Sequence, residues 1–240
     1  MASKKSVSFF ARAFRFLKKM FIWLFVLQLV YIVLLKWVNP PLTVTQLASF
    51  ISGNGLKRDY VSYKEMSPAA KLSVIAAEDQ VFPDHNGFDW KSIEKALAYN
   101  KKKPHRIRGA STLSQQVAKN VFLWQGRSWL RKGLEVYFTF MIELIWGKRR
   151  ILEMYLNVSE MGKGVFGIEA AAQTFFKKPA SALTREEAAQ IAASLSNPKI
   201  FTVKPLSRYV ANRSGWIQSQ MNNLDGDEDI QALIFEKTKK

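Results

Sequence analysis

Residues 78–87 of this chain read E-D-Q-V-F-P-D-H-N-G, which brings two adjacent acids, a histidine and a glycine into one short stretch. They follow an apolar run holding Leu72, Val74, Ile75, Ala76 and Ala77, so a helix delivers Glu78 at its buried end. Desolvation disfavours the charged form of such a carboxylate and makes it a better proton acceptor. An E-D pair standing alone is more often a solvated helix end. Here two further clusters lie downstream.

Residues 109–120 (G-A-S-T-L-S-Q-Q-V-A-K-N) open a helix with Ser111 or Thr112 near its cap. Leu113, Val117 and Val121 recur at i, i+4 and i+8 and form its apolar stripe. Thr112, Gln115 or Gln116, and Lys119 fall on a different, polar face. Amides and a lysine near the positive end of a helix suit an anionic sugar-phosphate. Next, Arg131 and Lys132 precede Glu135 by four and three residues, so all three share one side of a helix. That helix continues through 136–146, apolar on every side, which predicts a buried helix. Charges at the mouth of a buried helix line a cleft more often than they decorate a surface.

These clusters sit in a chain of 240 residues, 48% apolar, enough for one domain with its own core plus an extension. No cysteine is present, which excludes a disulfide framework and thiolate metal sites; two histidines exclude a His-rich one. A formal charge of +17, from 36 Lys and Arg against 19 Asp and Glu, calls for an anionic partner: a membrane surface, nucleic acid or a phosphorylated substrate.

Residues 1–19 carry Lys4, Lys5, Arg12, Arg15, Lys18 and Lys19 and no acid. Residues 20–38 are apolar apart from Gln28 and Lys36, and these nineteen residues reach about 28 Å as a helix, near the thickness of a bilayer core. Trp23, Tyr31 and Trp37 suit the interfaces. Asn39-Pro40-Pro41 is no small-residue cleavage site, so the run reads as a single-pass anchor rather than a signal peptide. Its basic flank belongs in the cytoplasm and everything after it outside.

Residues 39–66 read as a connector, with a short helical pattern at Leu47, Phe50 and Ile51 and an extended segment over 59–63. Ser67-Pro68 starts a helix to about Asp79 and opens the main domain, residues 67–222. Further helices are expected over 90–100, 148–157, 168–176, 184–195 and 209–221, with a capping box at Thr184 and Glu187. Residues 101–108 form a basic loop, and 223–240 a polar tail. Gly162-x-Gly164-x-x-Gly167 has the dinucleotide-binding spelling, but it follows a helix and lacks a βαβ setting, so it reads as an interhelical turn. Asn157-Val158-Ser159 spells a glycosylation acceptor at a helix end and is set aside. With no long alternating strand pattern, the class is mainly α.

Four motifs stand in order: E-x-x-x-F-x-x-H-x-G at 78–87, G-x-S-T-x-x-Q-Q-x-x-K-N at 109–120, R-K-x-x-E at 131–135 and K-x-x-I-L-x-x-Y-L-N at 148–157. On these, the chain resembles the monofunctional biosynthetic peptidoglycan transglycosylases, glycosyltransferases that also form one half of the bifunctional penicillin-binding proteins. A fifth family motif, R-x-x-x-V-L, is half met at Arg213 and Ile217, with Gln218 in place of Leu, which leaves the register of the last helix open.

The resemblance implies a lysozyme-like helical head with a smaller membrane-touching jaw. It implies transfer of the chain-end sugar from undecaprenyl pyrophosphate to the 4-hydroxyl of an incoming lipid II. It casts Glu78 as the base and Glu135 as a group beside the leaving pyrophosphate. Lys119, Arg131 and Lys132 would hold phosphates. Ser111, Thr112, Gln115, Gln116 and Asn120 would line the substrate site, and Asp79, Phe82, His85 and Gly87 would shape the loop at Glu78. No cofactor is required; whether a divalent cation such as Mg sits at Glu135 stays open. The expected partners are lipid II, the undecaprenyl-linked glycan chain, the bacterial inner membrane and other cell-wall synthesis proteins, with the catalytic domain periplasmic.

Two other readings compete. A membrane-tethered lysozyme-like hydrolase has no use for cations clustered around Glu135. A polyanion- or nucleic-acid-binding module would interleave aromatics with its basic residues, and the basic runs here lack them.

Overall fold

The structure, a computed structural model, describes residues 9–105, 108–126 and 128–235. Lys4 and Lys5 of the basic flank, and Arg106 and Ile107 of the basic loop, lie outside the described residues. The chain divides after Val38 into two compact units.

The first unit is one helix, α1 (Phe9–Leu34), apolar and long enough to cross a membrane. It starts well before residue 20 and stops short of 38. Arg12, Arg15, Lys18 and Lys19 are good helix formers, so the helix runs back through the basic flank; hydropathy marked only its apolar part. Most of its side chains are exposed, Phe21 and Trp23 among them, while Ile32 near its end is buried.

The second unit is mainly helical, as expected. Its elements are α2 (Val44–Ile51), α3 (Pro68–Glu78), α4 (Trp90–Lys102), α5 (Leu113–Phe122), α6 (Trp129–Ile145), α7 (Lys148–Val158), α8 (Ile168–Phe176), α9 (Arg185–Ser194), α10 (Arg208–Leu224) and α11 (Glu228–Ile234). The starts follow side-chain caps. Ser67 accepts from Ala70 N with Pro68 in the first turn, and Thr112 and Thr184 each form a capping box. The core is α3 packed against α9 and α10, and α5 against α6 and α7, with α2 on α5 and α11 on α3.

The glycine spelling at 162–167 folds as a hairpin, not a plain turn. Strand β2 (Glu160–Gly162) runs antiparallel to β3 (Val165–Phe166), and β1 (Lys57–Arg58) pairs in parallel with β3, pairing Lys57 with Val165. Strands of two or three residues are too short to leave an alternating pattern. Gly164 has φ +68°, and a Cβ there would lie 2.2 Å from Asn54 O, so the glycine permits contact between two backbones.

Three other expectations change. Residues 39–66 are no mere connector: Asn157 brackets the backbone of Val61, accepting from its N at 3.1 Å and donating to its O at 2.9 Å. The polar tail packs onto the domain as well. Ile230, Leu233 and Ile234 are buried, Tyr63 OH donates to Leu233 O (2.6 Å) and Arg149 to Phe235 O (2.6 Å).

Helix α6 is not buried all round. Its inward face carries Glu135, Thr139 and Ile142, whereas Trp129, Val136, Phe140 and Leu144 are exposed, Leu144 by 69%. Polar groups inside and apolar ones outside reverse the pattern of a helix bordered by water.

Candidate active site

Glu78 ends α3, whose neighbouring residues Leu72, Val74, Ile75 and Ala76 are buried. The chain then turns at Asp79 into a loop held at several points. Asp79 Oδ2 accepts from Leu113 N (2.9 Å) and lies 3.0 Å from His85 Nε2. Gly87 N donates to His85 Nδ1 (3.1 Å), so the ring carries its proton on Nε2 and gives it to Asp79. Thr112 Oγ1 donates to Gly87 O (2.7 Å), and Lys148 Nζ donates to His85 O while standing 4.6 Å from the buried Phe82 ring. At Gly87, φ is +91° and a Cβ would meet Thr139 Cγ2 at 2.7 Å. Loop and helix are thereby locked around the carboxylate.

Glu78 is half-buried and faces a cleft of about 1150 Å³, whose walls include Ser111, Gln116, Arg213 and Trp216. Burial raises its carboxyl above the usual range, and Asp79 adds to this. A hydrogen bond from Gln116 Nε2 to Glu78 Oε2 (2.7 Å), with the charges of Arg213 and Lys119, opposes the rise. The result is a carboxylate with a greater appetite for a proton, fixed in direction by one donor.

A smaller chamber of about 410 Å³, lined by Lys119, Asn120, Gln125 and Tyr155, shares Gln116 and Ser196 with the cleft. Burial lowers the Lys119 ammonium, and the charges of Arg131 and Lys132 lower it further; Glu135 and Glu78 pull it back. Those neighbours form one cluster on α6. Arg131 Nη1 bonds Glu135 Oε2 (2.7 Å) and Lys132 Nζ bonds Oε1, with Glu135 itself buried. Lys119, Arg131 and Lys132 against a single Glu135 leave this region net positive, suited to a phosphate.

A divalent ion does not fit this donor set. Both Glu135 oxygens already receive cations, and no group of three acids or histidines that could hold a metal occurs among the described residues.

The expected residues divide by task. Ser111 and Gln116 line the cleft, and Lys119 and Asn120 the smaller chamber. Thr112 also lines the cleft, but its hydroxyl is committed to capping α5 and to Gly87 O; Gln115 is buried and completes the reciprocal cap, so these polar groups hold the site together. Arg213 stands in the cleft wall, 3.7 Å from the Trp216 ring, with Ile217 buried behind it. This fixes the register that the half-matched motif left open.

Tyr155 and Glu143 were missed as site residues. Tyr155 stands in the fourth motif without an assigned role, yet its hydroxyl donates to Gln116 Oε1 (3.2 Å). Glu143 sits within an apolar helix and accepts from Lys148 (2.7 Å) and Ser114. A lone acid inside an apolar run was the signal for it.

A description of the transglycosylase family matches residues 44–222, most of the chain. The chain belongs to the transglycosylase family. It is similar to the biosynthetic peptidoglycan transglycosylase of Shigella boydii serotype 4 (strain Sb227), at 50% identity over 236 residues, covering 95% of this chain and 98% of the relative. It is 56% identical over 189 residues to the proteins of that name from Escherichia coli strains ATCC 8739 and K12 DH10B, covering 78% of each chain. The helical, lysozyme-like fold expected from the motifs is that of this transglycosylase domain.

Proposed function

We propose that this chain polymerises lipid II into β-1,4-linked glycan strands, with Glu78 as the base and the Lys119–Arg131–Lys132 group at the leaving pyrophosphate. Glu78 takes the proton of the acceptor 4-hydroxyl, and that oxygen attacks the anomeric carbon of the donor sugar. The bond from that carbon to undecaprenyl pyrophosphate breaks, and one displacement turns an α-linked donor into a β-linked product. Pyrophosphate is already a good leaving group, so fixed cations serve it better than a strong acid would.

The observation that carries the reading is the separation of duties around Gln116. A desolvated carboxylate faces the large cleft, while cations gather beyond the smaller chamber that shares this residue. A glycan hydrolase has no need of the second group.

In this reading α1 anchors the protein in the inner membrane, with its basic end cytoplasmic and the enzyme periplasmic. The outward apolar face of α6 then rests in the lipid that holds both substrates.

The test is incubation of detergent-solubilised wild type and Glu78→Gln with labelled lipid II, followed by lysozyme digestion. A lysozyme-sensitive polymer from wild type alone is expected. No polymer from either, with salt-sensitive binding of polyanions instead, would overturn the reading.

A further inference from the structure

Tyr155 lies on α7, buried to 1% exposure, and its hydroxyl donates to Gln116 Oε1 at 3.2 Å, with Ser159 at the end of the same helix as a second hydroxyl neighbour. Gln116 in turn donates Nε2 to Glu78 Oε2 at 2.7 Å. An ionised carboxylate can only accept, so the NH2 end of Gln116 must face Glu78 and its oxygen must face Tyr155. Burial holds the phenol well above its usual range, with the charge of Glu78 adding to that, so Tyr155 remains a donor throughout the working range.

We propose that Tyr155 is a positioning residue that, by donating to Gln116 Oε1, supports the one of the amide's two flips that donates to Glu78. The proposal rests on the reading of Glu78 as the base. The two flips of an amide are nearly identical in shape, so packing alone does not choose between them. In the opposite flip, Gln116 Nε2 faces the phenol, which can accept only by turning its own proton away to Ser159, while Oε1 opposes the carboxylate, a conflict that only a protonated Glu78 relieves. A protonated Glu78 takes no proton from an acceptor hydroxyl.

The other charged groups acting on Glu78 are Lys119 from α5, Arg213 from α10 and Asp79 from the loop. All three act through space. Gln116 bonds Glu78 directly, and Tyr155 supplies the donor for the other end of its amide.

The experiment compares the pH dependence of kcat/KM for lipid II polymerisation in full-length wild type, Tyr155→Phe, Gln116→Ala and the double variant, with Glu78→Gln as reference. Tyr155→Phe is expected to move the acid limb up by about one pH unit, a loss of about tenfold below the limb that recovers above it. Its unfolding temperature should stay within a few degrees of wild type. In the Gln116→Ala background the same change should add nothing.

An unmoved acid limb, an equal loss at every pH, or a further loss in the Gln116→Ala background would overturn the role of Tyr155. If Glu78→Gln is inactive in that case, the base assignment survives and only the positioning role falls. Polymerisation by Glu78→Gln would remove the base, and this proposal with it.

Discussion

The carboxylate of Asp79 lies 3.0 Å from His85 Nε2, six residues further along the chain, and this pair closes the loop that follows Glu78. The same carboxylate oxygen takes the N–H of Leu113 at the start of α5. One side chain thus ties the loop to the helix that carries Gln116 and Lys119. Asp79→Ala should leave both donors buried and unpaired, at a cost of about 2–4 kcal/mol. Denaturant unfolding would measure it, and a cost below about 0.5 kcal/mol would mean the clamp is dispensable.

Glu78→Gln should abolish polymerisation and leave the fold intact. Because burial raises the carboxyl, the native state holds that proton more tightly than the unfolded chain does. The group's contribution to stability is therefore complete below the ordinary glutamate value and lost as pH rises through the raised one. At neutral pH Glu78 opposes folding, so Glu78→Gln should melt at or slightly above the wild-type temperature. A clear drop in Tm at pH 7 would contradict this.

The same shift predicts how the wild-type rate varies with pH. A base must be unprotonated, so kcat/KM should fall as pH drops through the raised Glu78 value, above the range of an ordinary exposed glutamate. A rate still undiminished at the ordinary glutamate value would show that this carboxyl does not limit the reaction.

Lys119→Ala should weaken binding of a pyrophosphate-lipid analogue by about tenfold or more, the worth of one charge-assisted bond. Stability should hold, since burial already disfavours the charged ammonium in the native state. Isothermal titration with unchanged affinity would take Lys119 out of the phosphate site.

Gly164→Ala tests the fold away from the cleft. A methyl group would meet Asn54 O at 2.2 Å on a backbone with φ +68°. A loss of about 2–4 kcal/mol is expected, with kcat at low temperature preserved. Unchanged stability would mean that the β1–β3 contact shifts freely.

Much of the site was legible because helical spacing is a geometric rule. Arg131, Lys132 and Glu135 were read as one side of α6, and there they meet. The caps Ser67 and Thr184 are readable for the same local reason, and of Ser111 and Thr112 the structure picks Thr112. What stayed hidden depends on partners distant in the chain. Thr112 lines the cleft as its motif implies, but its bond to Gly87 O, 25 residues earlier, leaves no local spelling. The role of Tyr155 stayed hidden because its partner Gln116 lies 39 residues away. The outward apolar face of α6 misled for a different reason: a hydrophobic count does not say which medium lies outside.

The docking of α11 has a consequence for how its sequence can change. Tyr63, Lys71 and Arg149 grip it through the carbonyl oxygens of residues 232–235, not through their side chains. Every amino acid supplies such an oxygen. Outside the buried Ile230, Leu233 and Ile234, α11 is therefore free to drift in composition while keeping its seat, and a docked segment comes to be spelled like a loose one.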